Sequence, residues 1–460
     1  MQREIGNYHT KFYLQPDVTI DLYKGEPYLF RKGSKVKHQL SVGEALALTF
    51  LSESGDVNKA KTACSLSIGN SMGKQWVDRV LERYWTYLGP SHPKKLNLSW
   101  LKRLNINRLR QRQTQRREAA PSSLTWLVTL SCNRKCPYCF YEVTSYSALN
   151  EKSPPDASFP LKRALEMVSE MSEIGVSNLH LTGGEPLLRK DLKEIITAAT
   201  SSRIRTHLVT KFAITASQAK DLAAAGTTRI TYSLDSTLPK ETSVLTGSRN
   251  FWEEAIIAIT AIMEAGIPIE LNTVLTSINI NSLENLFKLA VQYGIPKLTL
   301  STFRPQLNDI FSDNSLVPSK KDMVKIKLDE LQEKYGHKVE IKFYGSSKLK
   351  EISLNMNQKI CGVAFEELHL LPDGSVTHCH YLPYHKEMII GSLMECTIQE
   401  TWNSKRFLQL SKPSSAFYKG TECDGCSSFQ LCENRGRCYY SAISRYGSLY
   451  EKDDFCLKGN

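Results

Sequence analysis

Between residues 124 and 302 the chain alternates short apolar runs with longer stretches of helical period. The runs fall near 124–130 (LTWLVTL), 178–182 (NLHLT), 205–209 (THLVT), 228–233 (TRITYS), 268–274 (PIELNTV) and 296–301 (PKLTLS). Their length and β-branched content are those of strands. Between the first two, Leu161, Ala164, Leu165, Val168 and Met171 recur at the spacing of one helix face. Six strand–helix units in succession predict an α/β fold with a parallel sheet, or a partial barrel of the (βα)6 kind. A helical crossover is the usual way back to the start of a parallel strand. In such folds the chemistry gathers at the C-terminal ends of the strands.

The flanks carry other patterns. In VTIDLYKGEPYLFRKG, apolar and polar residues alternate around a Lys-Gly-Glu-Pro turn, as in a hairpin. Ser41-Val-Gly-Glu44 has the form of a capping box ahead of ALALTFL, and KQWVDRVLERYWTYL (74–88) is helical in pattern. Two strands and about three helices over 12–88 predict a small winged-helix-like module, which keeps a DNA-binding role open. A connector occupies 90–122. Its segment 101–120 has seven basic residues and one acidic, read as a solvated linker helix, with a groove for an acidic ligand as the alternative. From about 340 the chain becomes loop-rich. HKVEIKF reads as a strand and ELHLLPDGSVTHC as a hairpin turning at Pro372-Asp373-Gly374.

Composition narrows the class. The chain has 460 residues, 41% of them hydrophobic, with mean hydropathy −0.32. No apolar run approaches the ~18 residues of a membrane span, and MQREIGNYHTKFYL lacks the pattern of a signal peptide. A cytoplasmic protein without membrane contact is expected. The net charge of +12 permits an anionic cofactor, nucleic acid or an acidic peptide without choosing among them. The twelve cysteines change the picture most. In a reducing compartment spaced cysteines signal metal or catalysis. Ten form two blocks: Cys132, Cys136 and Cys139, then Cys361, Cys379, Cys423, Cys426, Cys432, Cys438 and Cys456. Cys64 reads as a core thiol, and Cys396 precedes a helix-like segment.

Strand one runs into SCNRKCPYCF. Three thiolates on one short loop can hold three irons of a [4Fe–4S] cluster and leave the fourth open to a substrate or cofactor. Structural zinc, the alternative, takes four ligands, commonly from two paired cysteines.

CNRKCPYC resembles the signature of the radical S-adenosylmethionine (SAM) enzymes, including Tyr138 before the last cysteine. LTGGEPLL, at the end of the second strand, resembles their Gly-Gly-Glu-Pro motif. Gly183 and Gly184 allow close backbone approach. The resemblance implies that Glu185 and neighbouring carbonyls take the ammonium of SAM. It also implies a ribose contact at Ser233 and Asp235 and an adenosyl-side contact at Asn272. One loop departs from the family: Thr210-Lys211-Phe212 stands where Thr-Asn-Gly is expected.

The second block resembles the SPASM domain, which binds two auxiliary [4Fe–4S] clusters. Seven cysteines match in order, although five residues (ENRGR) separate Cys432 from Cys438 where the family usually has three. The resemblance assigns Cys423, Cys426, Cys432 and Cys456 to an outer cluster and Cys361, Cys379 and Cys438 to an inner one. That leaves the inner site one ligand short, since Glu367 stands where anaerobic sulfatase maturases have an added cysteine. Glu366, Glu367, His369, His378 and His380 are nearby candidates for the vacancy, with Cys396 a remoter one. A zinc ribbon on Cys423, Cys426, Cys432 and Cys438 is the structural alternative.

The order of parts resembles enzymes that modify ribosomally made natural-product peptides. It divides the chain into a recognition element (1–90), basic linker (91–122), radical SAM core (123–310), bridge (311–350) and SPASM domain (351–460). This resemblance implies that the leader of a precursor peptide binds the N-terminal module, and that an external donor such as flavodoxin or ferredoxin supplies an electron. It implies further that a 5′-deoxyadenosyl radical abstracts hydrogen, and that a thioether or carbon–carbon crosslink forms. A peptide epimerase, a sulfatase-maturase-like enzyme and an iron–sulfur or zinc DNA-binding regulator are the alternatives, and nucleic acid is not the expected partner. Arg304, after strand six, is a candidate contact at the mouth.

Overall fold

The structure is a computed structural model. It describes residues 11–23, 26–68, 70–91, 99–102, 118–139, 159–303, 314–319, 328–344, 360–363 and 365–458. Arg304 lies outside them.

The N-terminal module contains β1 (Tyr13–Leu14), β2 (Val18–Tyr23), β3 (Glu26–Arg31), β4 (Lys37–Gln39), α1 (Val42–Ser54), α2 (Val57–Ile68), α3 (Asn70–Arg83) and β5 (Leu88–Gly89). The expected hairpin is β2–β3, and β4 adds a third antiparallel strand to it. Three residues around His38 are too few to show a period. Ser41 and Glu44 form the expected capping box, and the helix stops at Gly55 in the left-handed region (φ 65). Leu29, Leu48, Leu51, Val77 and Leu81 form the core. Cys64 is fully buried among them, and burial pushes its thiol up to about 11.

The large sheet begins with β6 (Ser123–Leu127), then α4 (Leu161–Ile174), β7 (Asn178–Thr182), α5 (Leu192–Ser201) and β8 (Arg205–Thr210). Next come α6 (Ala216–Ala225), β9 (Arg229–Ser233), α7 (Pro239–Thr246), α8 (Phe251–Glu264), β10 (Ile269–Leu275), α9 (Leu283–Tyr293) and β11 (Lys297–Thr302). All six predicted strands are present, parallel and in sequence order. A seventh, β12 (Glu340–Tyr344) after α10 (Leu328–Tyr335), pairs parallel to β11. The segment expected to bridge two domains therefore supplies an edge of the main sheet. At the other edge, β13 (Glu367–Leu370) pairs parallel to β6, and β14 (Ser375–Thr377) and β15 (Ile389–Ser392) continue it antiparallel. The cysteine-rich region is thus built onto the main sheet. The helices α11 (Ile398–Trp402), α12 (Lys405–Ser411), α13 (Phe429–Arg435) and α14 (Tyr439–Tyr446) complete it.

Strand side chains alternate between two faces. Leu124, Trp126, Leu179, Leu181, Leu208 and Ile230 pack into the helix layer. Their neighbours Thr125, His180, His207, Thr231 and Asn272 are half-buried on the other face, giving the sheet a polar inner surface.

The N-terminal module docks at the end of the sheet where the strands begin. Asn178 Nδ2 donates to the Glu82 carbonyl at 3.0 Å, and Ser177 Oγ to that of Arg83 at 2.7 Å. His38 Nε2 lies 3.0 Å from the carbonyl of Ile174. No helix among the described residues is long and apolar enough to cross a membrane.

Candidate active site

The three-cysteine loop leaves the C-terminal end of β6 and lies against the loop after β7. Gly184 N donates to the Thr129 carbonyl (2.7 Å) and Glu185 N to that of Ser131 (2.8 Å). Both glycines are required by space. A Cβ on Gly183, at φ 127, would collide with the Thr129 carbonyl. One on Gly184 would collide with the carbonyl of Ser131 and stand 2.6 Å from that of Leu130. The cradle therefore exposes backbone rather than side chain beside the cysteines.

Glu185 is 1% exposed. It accepts from Thr210 Oγ1 (2.8 Å), Leu187 N (3.1 Å) and Lys211 N (3.1 Å). Burial raises its pKa, and these donors, Thr210 foremost, oppose the rise. Asp235, 2% exposed, accepts from Val274 N at 2.9 Å through one oxygen. Its other oxygen accepts from the Tyr138 phenol and from the Lys211 ammonium. Both oxygens are thus occupied within the protein. Ser233 and Asn272 stand side by side in register on adjacent strands, Ser233 buried and Asn272 half-buried.

The other cysteines fall into two groups. Cys379 is half-buried, and its thiol is pushed far up by burial and then by the neighbouring Cys438 and Cys361. These three converge at the foot of β14. Nearby, Glu367 Oε1 accepts from Thr125 Oγ1 at 2.7 Å and lies 3.2 Å from His369 Nε2. Burial would raise this carboxyl, but His369 holds it well below the usual range. Glu367 Oε2 lies against Gly362, where an added Cβ would be 3.3 Å away. Glu366 approaches Arg83 of the N-terminal module at 3.8 Å. His378 packs between Phe407 and Tyr439, and His380 against His369. Cys396 closes the turn ahead of α11, its carbonyl accepting from Arg163.

Cys423, Cys426, Cys432 and Cys456 line one pocket, together with Arg437 and Asp453. Arg437 Nη1 lies 3.8 Å from Cys423 Sγ. The pocket takes Cys456, while Cys438 goes to the other group, so the fold does not gather the four cysteines of a ribbon. All twelve cysteines are free of disulfides. Among the described residues, no three His, Cys, Asp or Glu side chains form a ready site for a single metal ion. A [4Fe–4S] cluster instead takes one thiolate per iron, spreading the sulfurs over a cube. Three, three and four thiolates around two loop sites and a pocket fit that donor set.

Two functional side chains carry no signal of their own in the sequence. Lys211 belongs to the loop that departs from the family pattern. Arg437 lies in the five-residue interval before Cys438. Both departures are visible there, but the charge each brings to a cysteine group is not.

A parallel sheet carrying three cysteines and a glycine cradle at its strand ends, extended by a seven-cysteine region, defines a SAM-dependent iron–sulfur enzyme. The family model of the radical SAM superfamily matches residues 126–290, and that of the SPASM iron–sulfur cluster-binding domain matches 361–427. The chain thus contains a radical SAM domain and a SPASM domain, and with them come [4Fe–4S] clusters and SAM. It is 26% identical over 356 residues to mycofactocin maturase MftC of Mycobacterium tuberculosis, covering 76% of this chain and 86% of that one. It is 25% identical over 352 residues to the PqqA peptide cyclase of Ruegeria pomeroyi, covering 74% and 88%. Its fold is similar to that of Streptococcus suis SuiB bound to precursor peptide SuiA, with a TM-score of 0.61 at 17% identity over 97% of this chain and 99% of that one.

Proposed function

We propose that this protein is a peptide maturase that removes hydrogen from a ribosomally made precursor and joins two of its residues through a thioether or carbon–carbon bond. The observation that carries this reading is the N-terminal module, docked on a catalytic domain that is similar to a peptide cyclase. The module's sheet ends in strands β2 and β4. A leader peptide adds to such an edge by main-chain hydrogen bonds. The module meets the sheet where its strands begin, so the core peptide must run past the barrel wall to reach the strand ends.

The chain's own residues divide the work. Cys132, Cys136 and Cys139 hold a cluster with one iron open. Gly183 and Gly184 bring backbone against the cofactor, and Glu185 with the adjoining carbonyls receives its ammonium. Ser233 and Asn272 face the ribose and adenosine, while Asp235 acts through Tyr138 and Lys211. When bound, the cluster and SAM supply one-electron chemistry that takes a hydrogen atom from the peptide. Cys423, Cys426, Cys432 and Cys456 hold an outer cluster. Cys361, Cys379 and Cys438 would hold an inner one, with Glu367 a candidate for its remaining iron. Flavodoxin or ferredoxin would deliver the electron that starts the reaction, and the second electron released as the crosslink closes would leave through the sites of the seven C-terminal cysteines, its proton going to solvent.

The test uses anaerobically reconstituted protein, a strong reductant, SAM and the peptide encoded by a small reading frame beside the gene. The expected result is 5′-deoxyadenosine formation that rises with peptide, and a peptide product lighter by two hydrogens. An unchanged peptide mass would favour an epimerase, which a deuterium-exchange experiment detects. SAM cleavage that no precursor peptide stimulates would overturn the peptide assignment.

A further inference from the structure

We propose that Lys211 is a built-in cation of the three-cysteine site, a positioning residue that sets how readily the cluster held there accepts an electron. The inference rests on that loop holding a redox cluster, and not on the peptide substrate.

Lys211 stands just past the last residue of β8 and is tied to both halves of the site. Its backbone N–H donates to Glu185 at 3.1 Å, and its carbonyl accepts from Arg134 of the cysteine loop at 3.2 Å. The side chain is 14% exposed. Its ammonium donates to Asp235 and to the Tyr138 phenol, and sits 4.9 Å from the Tyr138 ring centroid. Tyr138 is itself one residue from Cys139 and packs with Leu245, Phe303 and Leu316.

Burying an ammonium is costly unless it is paired. Asp235 supplies the pairing, but the two charges do not coincide. The ammonium sits against the Tyr138 ring, one residue from Cys139, and the Lys211 backbone is bonded both to Glu185 and to Arg134 of the cysteine loop. Removing either charge therefore changes the field at the three-cysteine loop. Reduction adds an electron to a site already negative from its thiolates. A fixed positive charge in a poorly solvated pocket favours the reduced form. A neutral hydrogen-bonding residue could brace Tyr138 and Asp235, but it would not supply that charge.

The experiment is a reductive titration of the full-length reconstituted protein, read by electron paramagnetic resonance. The cluster in question is recognised by the change of its signal on adding SAM. For Lys211→Met we expect the reduced-to-oxidised ratio at fixed potential to fall about tenfold, a midpoint lower by about 59 mV for one electron. Asp235→Asn should move it the other way, and Lys211→Arg should restore most of the wild-type value. An unmoved midpoint in a fully iron-loaded Lys211→Met would overturn the proposal. If that variant loads no iron, the remaining two decide. A downward shift or no shift in Asp235→Asn then reduces the pair to a brace. Absence of a SAM-sensitive signal in the wild type would instead refute the cluster reading.

Discussion

Arg437 points its guanidinium at Cys423, with Nη1 3.8 Å from the sulfur, and lies over the rings of Tyr418 (4.3 Å) and Phe429 (4.8 Å). Burial raises the Cys423 thiol, and Arg437 is the group that opposes it. The arginine thus favours a thiolate in the pocket shared by Cys426, Cys432 and Cys456. Arg437→Leu is expected to lose the outer cluster, about four irons per chain, while the SAM-sensitive signal stays. Arg437→Lys should recover little, because an ammonium cannot stack as a guanidinium does on two rings. Iron and sulfide assays on reconstituted protein check both.

Arg83 ties the N-terminal module to the rest of the chain. It donates to Glu44 at 3.1 Å, pairs with Glu118, and approaches Glu366 at 3.8 Å, with 6% of its side chain exposed. Burial would raise the Glu44 carboxyl, but Arg83 and Arg79 hold it below the usual value. Arg83→Met removes the cation paired with Glu118 and leaves Glu44 with Arg79 alone, and breaking a buried pair in this way typically costs about 3–5 kcal/mol. The module should then melt before the barrel, as a separate low-temperature transition in calorimetry. Protonation of these carboxyls should narrow the deficit at acid pH.

Gly184→Ala tests the cradle. The new Cβ would meet two main-chain oxygens, those of Ser131 and Leu130, which cannot swing away as a side chain would. The loop carrying Cys132 must move instead. We expect SAM affinity to fall at least about tenfold, or about 1.4 kcal/mol, with fewer irons retained at that site. Gly391→Ala, where nothing lies within 4 Å of the added atom, is the neutral control. Equilibrium dialysis with labelled SAM distinguishes the two.

The sequence reveals most where structure is local. Six β-branched runs became six strands with ends displaced by a few residues at most, since an apolar period reports its own burial. The strand at 340–344 was readable, but its place beside β11 was not. Alternating Lys, Glu and Ile fit any half-buried edge, and the parallel register from Glu340 opposite Lys297 to Tyr344 opposite Ser301 exists only in the folded sheet. The attachment of β13 to β6 was hidden for the same reason. At the site, the family resemblance implied how the thiols group, and in the structure Cys379 has Cys361 and Cys438 beside it while Cys423, Cys426, Cys432 and Cys456 line one pocket. The resemblance could not show the cations beside them. Lys211 and Asp235 are 24 residues apart, and Arg437 and Cys423 are 14 apart. Such pairs exist only once the chain has folded. Asp235, a ribose contact by the family resemblance, accepts in the structure from Val274, Tyr138 and Lys211, none of which its place in the sequence announces.

His38 makes the docking of the N-terminal module sensitive to pH. Its ring is 3% exposed, lies edge-on to Tyr84 and Tyr87, and contacts the Ile174 carbonyl at the end of α4. Burial pushes its pKa from 6.5 down to about 4, against the opposing hydrogen bond to Ile174. The folded state therefore binds this proton more weakly than the unfolded chain. The stabilisation is present in full above about pH 6.5 and is lost as pH falls towards 4. The whole span corresponds to about 3 kcal/mol, at about 1.36 kcal/mol per pH unit. His180, His207, His378, His380 and His385 also have lowered pKa values, so the wild-type curve alone cannot isolate His38. His38→Gln keeps a donor for Ile174 and leaves the other five in place. Distant contributions cancel on subtraction. Denaturant unfolding midpoints from pH 7.5 to 4 should fall more steeply in the wild type than in His38→Gln, and the two should run parallel above pH 7. Parallel curves throughout would mean that His38 titrates as it does in water, and that the junction opens without unfolding.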